Sequence, residues 1–411
     1  MKRVLIHSLI FSPDGVSTAY LYNDIALTLK ERGYDLVVLT TTPHFNKVPE
    51  QTALQPMHWK VWGFVKESRF HGIKVLHIPQ KKFKSTALRL LGFLYWHIVS
   101  FFVALSIKHV DLILSPSPPL TIGVLNRWIA RIKGCKVVYN VQEIYPDILR
   151  LKPSMILKLL KWMERYVYNG SDAVTTIDKV FYNTIVKRFK NPEKLHIIPN
   201  FTDTGLYHEV EWKGALNPIS FPETDSIRLL YAGNLGIAQS WEPLIELAEK
   251  TRKMDVEYFI IGEGVRREYI NREICERQLE KVHLLPYQPR ELMPAILSYS
   301  DLSFIFMSPE MDGDGFPSKV YTIMACQRPL LVSSGKDTPI VDFLQDKGCA
   351  KLVTDKDFER KVNEMAEWLS QVTKEELKEM GKRGLKIIEQ NYTKEQVTSM
   401  YANLVKKLIG E

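Results

Sequence analysis

Short runs of β-branched and aliphatic residues alternate with longer amphipathic stretches along most of the chain, the pattern of parallel α/β sheets. In the first half, strand-like runs start at Arg3 (RVLIHSL), Asp35 (DLVVLTT), Ile73 (IKVLHIP), Asp111 (DLILS), Lys136 (KVVYNV), Asp172 (DAVTTI) and Lys194 (KLHIIP). The series restarts at Ile227 (IRLLYAG), Val256 (VEYFIIG), Lys281 (KVHLLPY), Asp301 (DLSFIF) and Pro329 (PLLVSS). Between the two lies Thr202 to Asp225, with Gly205, Gly214, Pro218, Pro222 and little periodicity, which predicts a linker, 202–225. The expected architecture is two doubly wound domains, 1–201 and 226–385, facing each other across a cleft, with ligands at the carboxyl ends of the strands. The amphipathic pattern from Lys374 to Ile409, interrupted near Asn391, predicts a last segment, 386–411, that packs back on the first domain.

One apolar run breaks the pattern. Leu90 to Ile107, LLGFLYWHIVSFFVALSI, carries no formal charge except through His97. Arg89, Trp96, His97 and Ser100 would share about 100° of a helical wheel and make one wet stripe. Three readings stay open: a buried core helix, a helix lying on a membrane surface behind the basic run Lys81, Lys82 and Lys84, or a span.

The 411 residues favour two domains, and the net charge of +8 favours an anionic partner: a nucleotide, nucleic acid or membrane surface. The basic residues are dispersed and match no nucleic-acid module, so no nucleic-acid partner is expected. Cys135, Cys275, Cys326 and Cys349 form no CxxC pair, which argues against a zinc site or disulfide framework and for reduced buried thiols. The start MKRVLIHSLIF reads as a first strand.

Candidate chemistry gathers at strand ends. MDGDGFPSKVYTIMACQRP, Met311 to Pro329, offers a calcium loop, an anion cradle or a solvated turn. An EF-hand register starting at Asp312 puts Phe316 and Pro317 at its fifth and sixth positions and Ile323 in place of the bidentate glutamate, so calcium fails. Pro317 fits the first turn of a helix, which would leave the amides of Ser318, Lys319 and Val320 free beside the Lys319 charge, a setting for phosphate. Asp314, one turn earlier, suits neutral sugar hydroxyls. The stretches Tyr231-Ala-Gly233-Asn234-Leu-Gly236 and Gly262-Glu263-Gly264-Val-Arg266 add glycine loops after two strands of the same half, and no GxGxxG fingerprint follows a strand.

The order of these motifs resembles glycosyltransferase family 4, the retaining GT-B transferases. Asp314-Gly315-Phe316 resembles the start of the family's nucleotide-sugar motif, and Met324-Ala-Cys326 with Arg328-Pro329 its helical continuation. Pro317-Ser318-Lys319, YAGN at Tyr231 and Ala238-Gln239 are similar to a subset that builds bacterial O-antigens and capsules, often with amino or deoxy sugars. Ile198-Pro199-Asn200 and Asn391-Tyr392-Thr393 extend the likeness over nearly the whole chain. The family's second acidic residue, eight positions after the first, is Thr322 here, so the ribose contact is weaker or supplied elsewhere. Its Arg and Lys pair is not evident after Gly233, and Lys319 with Arg266 are the replacements. Ser12-Pro13-Asp14-Gly15 stands where a glycine-rich loop would face the diphosphate, with only Gly15 left of it. Val141-Gln142-Glu143-Ile-Tyr-Pro146-Asp147 resembles the segment facing acceptor and donor.

The resemblance implies transfer with retention from a nucleotide sugar, UDP-linked, to a glycan or a polyprenyl-diphosphate-linked acceptor, with no metal or other cofactor required. Glu143, Asp314 and Lys319 are the expected catalytic residues. Donor binding is expected at Gly15, Asn234, Gly262, Gly264, Arg266, Tyr287 beside the nucleobase, Gly315, Phe316, Pro317, Ser318 and Thr322. Asp147 reads as structural. The expected location is cytoplasmic, peripheral on the inner face of the membrane, with Leu151 to Tyr168 as a second basic-apolar contact. The rivals are a nucleotide-sugar epimerase of the same fold and a nucleotide-sugar-binding protein of weak catalysis.

Overall fold

In a computed structural model, which describes residues 1–60, 63–81, 83, 85–310 and 315–410, the chain forms two compact units. The first unit comprises Met1–Asn200 plus the C-terminal stretch from Glu395, and the second Phe201–Lys394.

The strands of the first unit are β1 (Arg3–His7), β2 (Asp35–Thr41), β3 (His58–Lys60), β4 (Val65–Phe70), β5 (Ile73–Ile78), β6 (Leu112–Pro116), β7 (Lys136–Val141), β8 (Ala173–Thr176) and β9 (Leu195–Ile197). They make one sheet in the order β3-β4-β5-β2-β1-β6-β7-β8-β9. From β5 to β9 every pairing is parallel, and β3 and β4 add an antiparallel hairpin at the edge. The strand reversal falls between β1 and β6, where a doubly wound sheet opens its ligand crevice. The helices are α1 (Ser17–Glu31), α2 (Pro49–Leu54), α3 (Thr86–Ser106), α4 (Leu120–Lys133), α5 (Met155–Gly170) and α6 (Lys179–Ile185).

The hairpin was not expected, because VKESRF places four polar residues in a row between Val65 and Phe70, unlike the continuous apolar runs of buried parallel strands. It is tied in by side chains. His77 donates from Nδ1 to Thr41 O at 3.1 Å and accepts from the Ser68 hydroxyl at 2.7 Å, while Gln55 donates to Ser68 at 2.8 Å. Burial lowers the His77 pKa to about 4 and so keeps this neutral tautomer.

Helix α3 reverses the expected wheel. Trp96, Ser100 and Ala104 form its buried face, with Trp96 and Ala104 in the core beside Leu5, Val37, Leu76 and Ile129. Leu88, Leu90, Leu91, Leu94, Ile98 and Phe102 point outward and are exposed. The stripe read as wet is therefore the anchor, and of the three open readings of Leu90 to Ile107 the buried core helix is set aside. By length and composition α3 could cross a membrane, yet Trp96 fixes it to the sheet through an indole tilted over His7, ring centroids 5.2 Å apart.

In the second unit β10 (Ile227–Ala232), β11 (Val256–Ile261), β12 (Val282–Leu285), β13 (Leu302–Phe306), β14 (Leu330–Ser333) and β15 (Ala350–Val353) form a parallel sheet in the order β12-β11-β10-β13-β14-β15. This is the 3-2-1-4-5-6 winding, with its reversal between β10 and β13. Its helices are α7 (Glu242–Lys250), α8 (Arg267–Glu276), α9 (Met293–Tyr299), α10 (Lys319–Ala325), α11 (Pro339–Leu344), α12 (Phe358–Gln371) and α13 (Lys374–Asn391). Residues 202–225, read as a linker, belong to this unit: Tyr207, Leu216 and Phe221 are buried in its core.

Helix α14 (Lys394–Ile409) packs in the first unit. Thr398 pairs with Thr28 at 2.9 Å, and the Tyr401 hydroxyl accepts from Asn140 at 2.9 Å. Asn140, at the end of β7, also accepts from Tyr22 and donates to Thr175 at 2.8 Å. All four thiols are free; Cys326 and Cys349 are buried as expected, whereas Cys275 is exposed.

Candidate functional site

The second unit builds its candidate site at the reversal between β10 and β13. Lys319, the first residue of α10, donates from Nζ to the carbonyl of Ala232, the last residue of β10, at 3.1 Å. The ammonium stands 3.8 Å from the centroid of the Tyr231 ring. Desolvation lowers its pKa from the ordinary lysine value to about 7. A Cβ on Gly233 would lie 2.5 Å from that nitrogen, so glycine at 233 leaves room for the ammonium.

The two glycine loops are bound to each other by backbone. Gly233 donates to Ile261 O at 2.9 Å, Leu235 to Glu263 O at 2.9 Å, and Arg266 N to Leu235 O at 2.9 Å. Gly262 has φ +144°, and a side chain there would collide with the Gly233 carbonyl; one on Gly264 would collide with the Leu235 carbonyl. These glycines thus permit loop-on-loop packing. Asn234 stands exposed on the first loop, its carbonyl accepting from the Tyr231 hydroxyl at 2.8 Å. Gln239 ties this loop to the end of β13 by accepting from Phe306 N at 3.2 Å.

The junction ahead of α10 departs from expectation. The helix begins at Lys319, and Val320 N donates to Pro317 O at 3.0 Å, so one of the three amides expected to be free is engaged. Gly315, Phe316, Pro317 and Ser318 are half-buried. Phe316 anchors them through Tyr321 and Phe343, with ring centroids at 5.2 and 5.0 Å, and Tyr392 joins the same cluster. The Thr322 hydroxyl donates to Lys319 O at 2.9 Å, so its proton is used within the helix. Asp312 and Asp314, and with them the acidic half of the motif, lie outside the described residues.

Arg266 caps α8, with its guanidinium 5.6 Å over the Tyr269 ring. Its neighbour Arg267, which sequence reasoning passed over, clamps the carbonyls of Gly262 and Leu285 at 2.7 and 3.0 Å and fixes the ends of β11 and β12. Charge alone does not separate two adjacent arginines; only the helix start at 267 does. Tyr287, expected beside the nucleobase, stands exposed beyond β12.

The first unit holds the other candidates at its own carboxyl edge. Gly15 is packed against the 46–48 segment: it donates to Asn46 O at 2.8 Å, and a Cβ would lie 2.5 Å from the Val48 side chain. The buried Asp14 carboxylate accepts from the amides of His44 and Phe45 at 3.0 Å and of Asn46 at 2.7 Å. A carboxylate thus fills the amide nest of this loop. Glu143 follows β7 half-buried and interacts with Tyr145, whose phenol pKa is raised first by burial and then by the Glu143 carboxylate. Asp147 pairs with Arg188, which also binds the buried Glu164, in keeping with a structural role.

Two family profiles match the chain: Glycosyltransferase Family 4 over residues 19–206 and Glycosyl transferases group 1 over residues 215–387. The chain is 22% identical over 335 residues to the putative colanic acid biosynthesis glycosyl transferase WcaI of Escherichia coli (strain K12), covering 79% of this chain and 81% of that one. It is 21% identical over 307 residues to the probable glycosyltransferase WbjE of Pseudomonas aeruginosa, covering 73% and 76%. Among solved structures it is similar to sucrose-phosphate synthase of Thermosynechococcus elongatus, with TM-score 0.74, 13% identity and 99% of each chain covered. It is also similar to Anabaena HepE in complex with UDP and glucose, with TM-score 0.72, 14% identity and 99% and 100% covered.

Proposed function

We infer, from the premise that the chain belongs to glycosyltransferase family 4 and is a GT-B sugar transferase, that it passes a hexosyl or aminodeoxyhexosyl group from a UDP-linked donor to a bacterial surface glycan. The colanic acid relative supports the pathway class, and the UDP complex of HepE supports the nucleotide. The observation that carries the reading is Lys319 at the strand reversal, its ammonium held on the last carbonyl of β10.

As the bond from the anomeric carbon to the phosphate oxygen breaks, the departing diphosphate gains negative charge. A preorganised ammonium at a helix start stabilises it without reorganising solvent. The acceptor hydroxyl forms its new bond on the same face, and its proton passes to the departing phosphate oxygen. This is transfer with retention, and it routes no step through a metal. Glu143 orients the acceptor, and Asp314 keeps the role read from sequence, toward the sugar hydroxyls.

The acceptor is carried on a polyprenyl diphosphate at the cytoplasmic face of the membrane. Supporting this are the outward apolar rows of α3 and of α5 (Met155, Ile156, Leu159, Trp162), with Lys152, Lys158 and Lys161 beside the latter. Helix α4, which packs against both, adds exposed Trp128 and Ile132.

A thermal-shift panel of nucleoside diphosphates and UDP-sugars tests the donor, since a ligand of the native state raises its melting temperature. A UDP-dependent rise abolished by Lys319→Ala is expected; no rise with any nucleotide would sink the reading. Sedimentation with anionic vesicles at low salt tests the membrane part.

A further inference from the structure

Strand β13, LSFIF, is buried along its whole length, and one of its residues is polar. Ser303 is 1% exposed, and its hydroxyl has no hydrogen-bond partner among the described residues. A hydroxyl left so inside a core costs stability that an alanine there would not. Ser303 stands opposite Leu230 of β10 in the register, so the two side chains rise from the same face of the sheet. That face is the one α10 covers, since Leu230 packs in one cluster with Val320, Ile323 and Met324.

Between this face and helices α9 and α10 the structure leaves a cavity of about 30 Å³. Leu230, Met293 and Leu297 close it with apolar surface, while Ser303, Lys319 and Thr322 bring its polar groups. The volume admits a water, which needs ~10–15 Å³, and lies far below the ~300 Å³ at which ligand pockets begin.

The three polar groups have complementary needs. Lys319 Nζ carries three protons, and among the described residues one oxygen, that of Ala232 at 3.1 Å, accepts one of them. The Thr322 hydroxyl gives its proton to Lys319 O at 2.9 Å and keeps its lone pairs for a donor. The Ser303 hydroxyl has its proton still to place. A water among them accepts from Nζ and from Ser303 and donates to Thr322, about three bonds in all, as is usual for an internal water. The described residues lining the cavity bring one other titratable group, the Tyr231 phenol. It donates to Asn234 O at 2.8 Å and is pushed up by burial, so it adds no charge near neutral pH.

We propose that this cavity holds one water molecule, fixed by the Ser303 hydroxyl, and that Ser303 acts through it as a positioning residue for the Lys319 ammonium. The water gives the ammonium a second oxygen acceptor and so favours its charged form, the form that binds a diphosphate. For its role in transfer the proposal rests on the reading of Lys319 as the diphosphate group. Its chemistry at Lys319 can be measured without any nucleotide.

The experiment is a carbon-13 NMR titration of the lysine Cε signals in the full chain, with the Lys319 signal assigned by its loss in Lys319→Met. Ser303→Ala removes the hydroxyl and should move the Lys319 midpoint down by about one pH unit, the worth of one hydrogen bond to a charged group. Ser303→Thr keeps the hydroxyl and should titrate with the wild type. An unmoved midpoint in Ser303→Ala, or a Ser303→Thr midpoint shifted equally far, overturns the proposal. UDP affinity by calorimetry should be nearly equal in wild type and Ser303→Ala at pH 5.5 and about tenfold weaker in the variant at pH 8. The same loss at both pH values would make Ser303 a packing residue only and would also overturn it. A crystal structure of the wild type tests the water without any variant: a water within hydrogen-bond distance of Ser303 Oγ and Lys319 Nζ is expected, and a dry cavity refutes it. Should no nucleotide bind while the Lys319 midpoint still depends on Ser303, the diphosphate reading fails and the water stands.

Discussion

The Lys319 ammonium rests 3.8 Å over the Tyr231 ring while donating to Ala232 O at 3.1 Å, and burial lowers its pKa. A lysine so placed is neutralised easily, because burial penalises its charge. Its pKa of about 7 puts the change near neutral pH. A bound diphosphate favours the charged form. Nucleoside-diphosphate affinity should therefore fall as pH rises above about 7, by up to about tenfold per pH unit. Calorimetry at pH 8 in two buffers of different ionisation heat should show proton uptake on binding; none would disprove the coupling.

The same burial carries a stability consequence. Lys319 binds its proton less tightly in the folded protein than in the unfolded chain. The resulting cost is fully present below about pH 7 and is relieved as pH rises toward 10.5. Lys319→Met should raise the melting temperature at pH 7, with a gain on the order of a few kcal/mol, while transfer is lost. A lowered melting temperature would show that the ammonium is better solvated than its surroundings suggest.

Gly233→Ala tests the fit above the lysine. The added carbon meets Nζ at 2.5 Å, and φ at this residue is +150°. We expect a stability loss of about 1 kcal/mol and a larger loss of diphosphate affinity. Equal affinity in the variant would mean that Lys319 moves without consequence.

Acid should unfold the first unit before the second. His7 and His77 are both buried there with pKa values of about 4, held down mainly by desolvation. Each must lose its proton to fold, so stability is full above pH 6.5 and declines as pH falls toward 4, by up to about 3 kcal/mol per histidine. Hydrogen exchange at pH 5 should show faster opening in β1, β2 and β5 than at pH 7. His77→Gln should flatten that difference.

The twelve strands read from apolar runs are all present, because parallel strands buried on both faces need such runs. What escaped were β3 and β4, with their mixed polar pattern, and β15, AKLV, too short to stand out. The reversal of α3 escaped for another reason. A helical wheel separates polar from apolar residues but assumes that the polar side meets water, whereas the sheet binds Trp96 and Ser100 and leaves the leucines outside. Lys319 was legible through its neighbours in the motif. Its carbonyl partner was not, since Ala232 and Lys319 are brought together only by the sheet order. The glycines were found, but their reason differs: they let two loops touch, which the chain alone does not show.

Asn140 is bonded both to Tyr22, early in the chain, and to Tyr401, close to its end. During synthesis, the first unit therefore cannot complete this network when its own two hundred residues have emerged. It must wait, with the bonding sites for α14 unfilled, until the second unit has been made in full. A premature stop just after Lys394 would thus damage the half of the protein synthesised first and spare the half synthesised next to the break.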